Sequence, residues 1–72
     1  MKKIKKIKIK LNGKFKFVKD DTNLSDFLKT LKIPLKKVAI ELNREILDKK
    51  KLNKKILRNN DNIEIVHFIG GG

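Results

Sequence analysis

At 72 residues the chain has room for one domain and one hydrophobic core, which excludes a large enzyme with a deep cofactor cleft of its own. It has no cysteine and a single histidine, His67, so disulfides, thiolate zinc sites, cysteine nucleophiles and imidazole clusters drop out together. Twenty basic residues against eight acidic ones give a formal charge of +12, while no apolar run approaches the ~20 residues of a membrane-spanning helix.

The charge invites a nucleic-acid partner, because lysine and arginine gain affinity by releasing counterions from phosphates. Its make-up argues the other way. Eighteen of the basic residues are Lys and only Arg44 and Arg58 are Arg, whereas base and phosphate readers favour the bidentate guanidinium. Lys, Ile and Asn, all with A/T-rich codons, make 35 of the 72 residues. The positive surface therefore reads as compositional, and no nucleic-acid or membrane partner is expected. The opening MKKIKKIKIK alternates Ile with Lys and lacks the continuous apolar stretch of a signal peptide, so the expected location is the cytoplasm.

Along the chain, residues 4–11 and 14–19 flank Asn12-Gly13, a pair that tolerates the positive φ angles of a tight turn and predicts a β-hairpin. Its register stays open. A two-residue turn sets Leu11 opposite Lys14 and turns Phe15 and Phe17 away from the core with Lys10 and Lys8. A three-residue loop instead pairs Leu11 with Phe15 and Ile9 with Phe17. Exposed rings would suggest a partner surface, and buried rings simply core. Asp20-Asp21-Thr22-Asn23 follows as a polar loop, with Asn23 as N-cap and Asp26 three residues on, in the manner of a capping box. Leu24, Phe27, Leu28 and Leu31 form the apolar stripe of a helix that ends near Leu31-Lys32, ahead of Pro34. Val38–Leu42 reads as a buried strand, Asn43-Arg44-Glu45 as a turn, and Ile46-Leu47 as a short apolar piece. Residues 48–58 are Lys-rich, with Leu52, Ile56 and Leu57 as anchors. Asn59–Asn62 makes a turn before the last strand, Ile63–Ile69.

His67, between Val66 and Phe68, has no acid, thiol or second imidazole in its pattern and reads as a surface residue rather than a catalyst. The order of elements describes an α+β domain over residues 1–69, a mixed sheet of four to five strands packed on one main helix. With the first and last strands side by side in the sheet centre, this is the order of the ubiquitin-like β-grasp fold. Gly70, Gly71 and Gly72 follow as a flexible tail, narrow enough to enter an enzyme tunnel and present a main-chain carboxylate. A carboxylate is inert until activated; an acyl-adenylate carries a good leaving group that a sulfur or amine nucleophile displaces.

Val38-Ala39-Ile40-Glu41-Leu42-Asn43 with Ile46-Leu47, then Asn60-Asp61-Asn62-Ile63-Glu64-Ile65-Val66 and the Gly71-Gly72 end, resemble the ThiS family of sulfur carriers. Leu11-Asn12-Gly13-Lys14 and Asn23-Leu24 through Phe27-Leu28 match its layout too, so the likeness covers essentially the whole chain. The chain departs from the family's usual Gly-Asp turn with Asn60-Asp61, a position Asn tolerates. The resemblance implies a non-enzymatic carrier with no catalytic residue, no metal and no bound cofactor. An ATP-dependent adenylyltransferase resembling ubiquitin-activating enzymes would adenylate Gly72. A sulfur donor such as a cysteine desulfurase persulfide would yield a thiocarboxylate, and thiazole synthase would take the sulfur for thiamine. Phe15, Phe17 and Phe68 are the candidate partner-docking residues. The rival readings are the small subunit of molybdopterin synthase, a ubiquitin-like modifier and, from another class, a basic RNA- or DNA-binding module stacking bases on those three rings.

Overall fold

A computed structural model describes residues 5–68. Its elements in chain order are β1 (Lys6–Leu11), β2 (Lys14–Lys19), α1 (Leu24–Thr30), β3 (Val38–Leu42), β4 (Glu45–Ile46) and β5 (Asn62–His67), with short 3-10 turns at Leu35–Lys37 and Lys49–Lys54. The five strands form one mixed sheet in the order β2-β1-β5-β3-β4. β1 and β5 run parallel in its middle and the other pairings are antiparallel. The α+β sheet-on-helix expectation, with first and last strands adjacent, agrees with this architecture.

The hairpin takes the two-residue register, with Leu11 opposite Lys14, Ile9 opposite Lys16 and Ile7 opposite Val18. Asn12 and Gly13 sit at φ of 49° and 82°, the mirror-image turn whose twist matches that of the strands it joins. One face of β1 thus supplies Ile7, Ile9 and Leu11 to the core. Phe15 and Phe17 are left at 61% and 68% exposure, the outward alternative.

Under the sheet, α1 buries Leu24, Phe27 and Leu28 against Ile9, Val38, Ile40, Leu52, Leu57 and Ile63. Its N-terminus is capped by the Asn23 carboxamide oxygen, which accepts from the backbone N–H groups of Ser25 (2.8 Å) and Asp26 (3.3 Å). Lys32 enters the left-handed region at φ 55° two residues before Pro34, closing the helix where the sequence placed its end.

β1 begins at Lys6, Phe68 lies outside β5, and three further details differ from the sequence reading. Glu45 belongs to β4, opposite Leu42, because Asn43 (φ 52°) and Arg44 (φ 72°) complete the reversal alone; β4 is therefore Glu45–Ile46, and Leu47 lies beyond it. Ile56 faces Asn23 in an isolated antiparallel bridge, whose bonds run from the Leu24 N–H to Lys55 and from the Leu57 N–H to Thr22, and it stays 45% exposed, so Leu52 and Leu57 are the anchors of the Lys-rich segment. Asn62 is already in β5, since Asn60 (φ 73°) finishes the preceding turn. That left-handed angle is the one the Asn60-Asp61 departure required. Ile4, Ile69 and the Gly70–Gly72 tail lie outside the described residues.

Candidate functional site

The strand that leads to the C-terminus is β5, and the fold holds it from both sides. β3 runs along it through five pairs, from Val38 opposite His67 to Leu42 opposite Ile63. β1 pairs with it only at Lys10–Asn62 and Leu11–Ile63, because β1 then turns away at Asn12. Side-chain amides take over where the backbone leaves. The Asn12 oxygen accepts from the Ile65 N–H at 2.7 Å, and its amide nitrogen donates to the Ile65 carbonyl at 3.4 Å. At the start of β5, the Asn43 N–H donates to the Asn62 carbonyl at 2.7 Å and the Asn43 side-chain oxygen accepts from the Asn62 N–H at 2.8 Å. Asn43 also donates to the Asp61 carboxylate at 3.0 Å, and Asn59 accepts from the Lys8 N–H at 2.9 Å.

Asparagine is the one neutral residue that both tolerates left-handed φ and offers a peptide-like amide on a short stem. Asn12 and Asn43 use both properties at once. Sequence reading placed both residues in turns, where each directly follows an alternating or apolar run, but missed the bonds their side chains make to β5.

Past His67, the Phe68 N–H donates to the Lys37 carbonyl at 2.9 Å. The Phe68 ring is 57% exposed, with the Lys49 ammonium 5.5 Å from its centroid. Val66, half exposed, lies opposite Ala39, and Glu64 lies opposite Glu41 on the same outer sheet face. His67 is exposed beside Val38. Among the described residues no three His, Cys, Asp or Glu gather as a metal site. Two surface depressions among the described residues lie toward the start of β5, away from its exit. One is bordered by Lys8, Lys10, Phe15, Asn60 and Asn62, the other by Leu42, Asn43, Lys54, Arg58 and Asp61.

The structure does not gather the three candidate docking rings into one cluster. Phe15 and Phe17 stand on β2, at one edge of the sheet, and β1 separates them from β5 and Phe68. The Lys8 and Lys10 ammonium groups lie 4.7 and 5.2 Å from the Phe15 centroid, a cation–π arrangement that keeps positive charge over that ring. Gly70, Gly71 and Gly72, the proposed tail and carboxylate, lie outside the described residues. No helix among the described residues is long and apolar enough to cross a membrane.

Comparison with known proteins gives a consistent set. The sequence model of the ThiS family matches residues 5–72. The sulfur carrier protein ThiS of Bacillus subtilis is 42% identical over 65 residues, covering 89% of this chain and 98% of that one. A thiazole synthase of Magnetococcus marinus is 38% identical over 66 residues, 92% of this chain but only 20% of its own length. The crystal structure of the thiamine biosynthesis protein ThiS from Geobacter metallireducens superposes with a TM-score of 0.81 at 29% identity, over 92% of this chain and all of that one.

Proposed function

The chain belongs to the ThiS family and is a sulfur carrier of thiamine biosynthesis, and we propose that the group it carries sulfur on is the main-chain carboxylate of Gly72. The observation supporting this reading is the construction of β5. A strand gripped on both flanks, and by Asn12 and Asn43, delivers whatever follows Phe68 from a fixed point on the domain. Glycine at 70, 71 and 72 brings no side chain to obstruct a narrow active site.

In the proposed cycle, the Gly72 carboxylate oxygen attacks the α-phosphorus of ATP on an adenylyltransferase and pyrophosphate leaves. A sulfur nucleophile then adds to the acyl carbon and AMP departs with the bonding pair. Hydrosulfide gives the thiocarboxylate directly. A cysteine desulfurase persulfide gives an acyl disulfide, which a thiol then cleaves reductively. On thiazole synthase the sulfur passes to the substrate's electrophilic carbon, and an oxygen nucleophile from water or the substrate then attacks the acyl carbon and breaks its C–S bond, returning the carboxylate. The carrier is thus a co-substrate of its enzymes, and ATP is theirs rather than its own. Similarity of this chain to one fifth of a thiazole synthase supports that enzyme as the acceptor.

Removal of Gly72 tests the assignment. The shortened chain keeps its circular dichroism and melting temperature, because every described core residue lies before Phe68. It forms no acyl-adenylate with ATP and the activating enzyme. Normal adenylation without Gly72 would refute the assignment.

A further inference from the structure

We propose that the open edge of β2 docks an extended segment of a protein partner, one that alternates apolar and acidic residues and adds to the sheet as a further strand. β2 pairs with β1 and with no other strand among the described residues. The direction of its backbone groups follows from the bonds around it. Lys10 and Asn12 send their N–H groups to Asp61 and Ile63, on the β5 side, while the Lys5 carbonyl accepts from the Asp20 N–H on the β2 side. In this register Ile7, Ile9 and Leu11 therefore exchange bonds with Val18, Lys16 and Lys14, and Phe15 and Phe17 turn their N–H and C=O groups outward. Unsatisfied donors and acceptors alternating along an edge are what an added strand completes.

The side chains define what kind of strand. Phe15 and Phe17 stand on the outer face, while Lys14 and Lys16, also exposed, stand on the opposite one. An incoming strand lies beside the aromatic rings, with the Lys8 and Lys10 ammonium groups over Phe15, on one face and beside the Lys14 and Lys16 ammonium groups on the other, which matches apolar residues alternating with Asp or Glu. From Lys6 to Lys19 there are six lysines and no acidic residue. A second copy of the chain would set lysines against lysines at a net charge of +12 each, which opposes self-pairing. Single-stranded nucleic acid would use the rings and ammonium groups but leave the outward carbonyls of Phe15 and Phe17 without donors. A peptide satisfies both sets. β2 lies two strands from β5, so an occupant there leaves the exit at Phe68 uncovered. The inference does not depend on the chemistry at Gly72, and its test involves neither ATP nor sulfur.

The test adds an end-blocked heptapeptide alternating Glu with Val to the full chain and follows amide hydrogen exchange by NMR. Binding is expected to protect the Phe15 and Phe17 amides, with those of Lys16 and Val18, already bonded to β1, unchanged. The same peptide with Lys in place of Glu is expected not to bind, an arm that requires no protein variant. The double variants Phe15→Thr with Phe17→Thr, and Lys14→Glu with Lys16→Glu, should each weaken binding by about tenfold or more. Any of four results would overturn the proposal: no binding at millimolar peptide, protection confined to Val66 and Phe68, equal binding of the Lys peptide, or β2 protection in the protein alone that rises with its concentration. Oligouridylate that protects Phe15 and Phe17 more strongly than the peptide would reassign the surface to nucleic acid.

Discussion

β5 and β2 are strands of equal length in one sheet, and they are built in opposite ways. β5 has a neighbour on each side, a fully buried Ile63, and two asparagine side chains that extend its hydrogen bonding where the adjacent backbone departs. Among the described residues β2 has one neighbour, no buried residue, and both of its aromatic rings in solvent. Similar local sequences, apolar residues alternating with polar ones, thus reach different ends. The number of flanking strands and the reach of α1 decide which apolar residues become core. The strand leading to the chain end is the fixed one, and the exposed edge is left for contacts with other molecules.

The largest expected effect strikes the supported side. Phe27→Ala, in the cluster with Ile40 and Ile63, should cost about 3–5 kcal/mol in chemical denaturation, a large part of the ~5–15 kcal/mol that holds a small domain together. A barely changed denaturation midpoint would mean that this cluster does not underpin the sheet. Asn12→Ala removes the substitute rungs at Ile65 and should cost about 1–3 kcal/mol, with faster amide exchange at Ile65 but not at Val18. Gly13→Ala meets no atom within 4 Å, so its penalty comes from φ +82° alone, about 1–2 kcal/mol by thermal melting. Arg44→Gly runs the other way. It relieves a left-handed arginine at φ 72° and should stabilise by roughly 0.5 kcal/mol once the added freedom of the unfolded chain is deducted. The smallest effect belongs to β2, where Phe17→Thr should change stability by less than about 0.5 kcal/mol. A loss as large as that of Phe27→Ala would erase the distinction between the two strands.

Much of this was legible in the residues. The Leu24, Phe27, Leu28 stripe, the Asn23 cap and the Asn12-Gly13 turn each carry a local signal, and each forms as that signal indicates. The hairpin register was not decided locally, because both loop lengths kept some apolar residues together. It shows in the turn itself, where Asn12 and Gly13 both take positive φ and close a two-residue loop that leaves Phe15 and Phe17 opposite Lys10 and Lys8, away from the core. Ile56 looked like an anchor by composition, but it follows the 3-10 helix in an extended stretch where side chains alternate, so Leu57 is buried and Ile56 stays 45% exposed. The bonds of Asn12 to Ile65 and of Asn43 to Asn62 span 53 and 19 positions, beyond the reach of any local pattern.

The central claim, that Gly72 is the sulfur-carrying group, is tested most directly by the mass of the C-terminal peptide. The protein is incubated with ATP, its activating enzyme and sulfide, then cleaved and weighed. The account predicts a C-terminal fragment heavier by the difference between sulfur and oxygen, only when ATP is present and without any nucleic acid. An unmodified Gly72 fragment from a reaction that has consumed ATP, or sulfur found elsewhere in the chain, would contradict it.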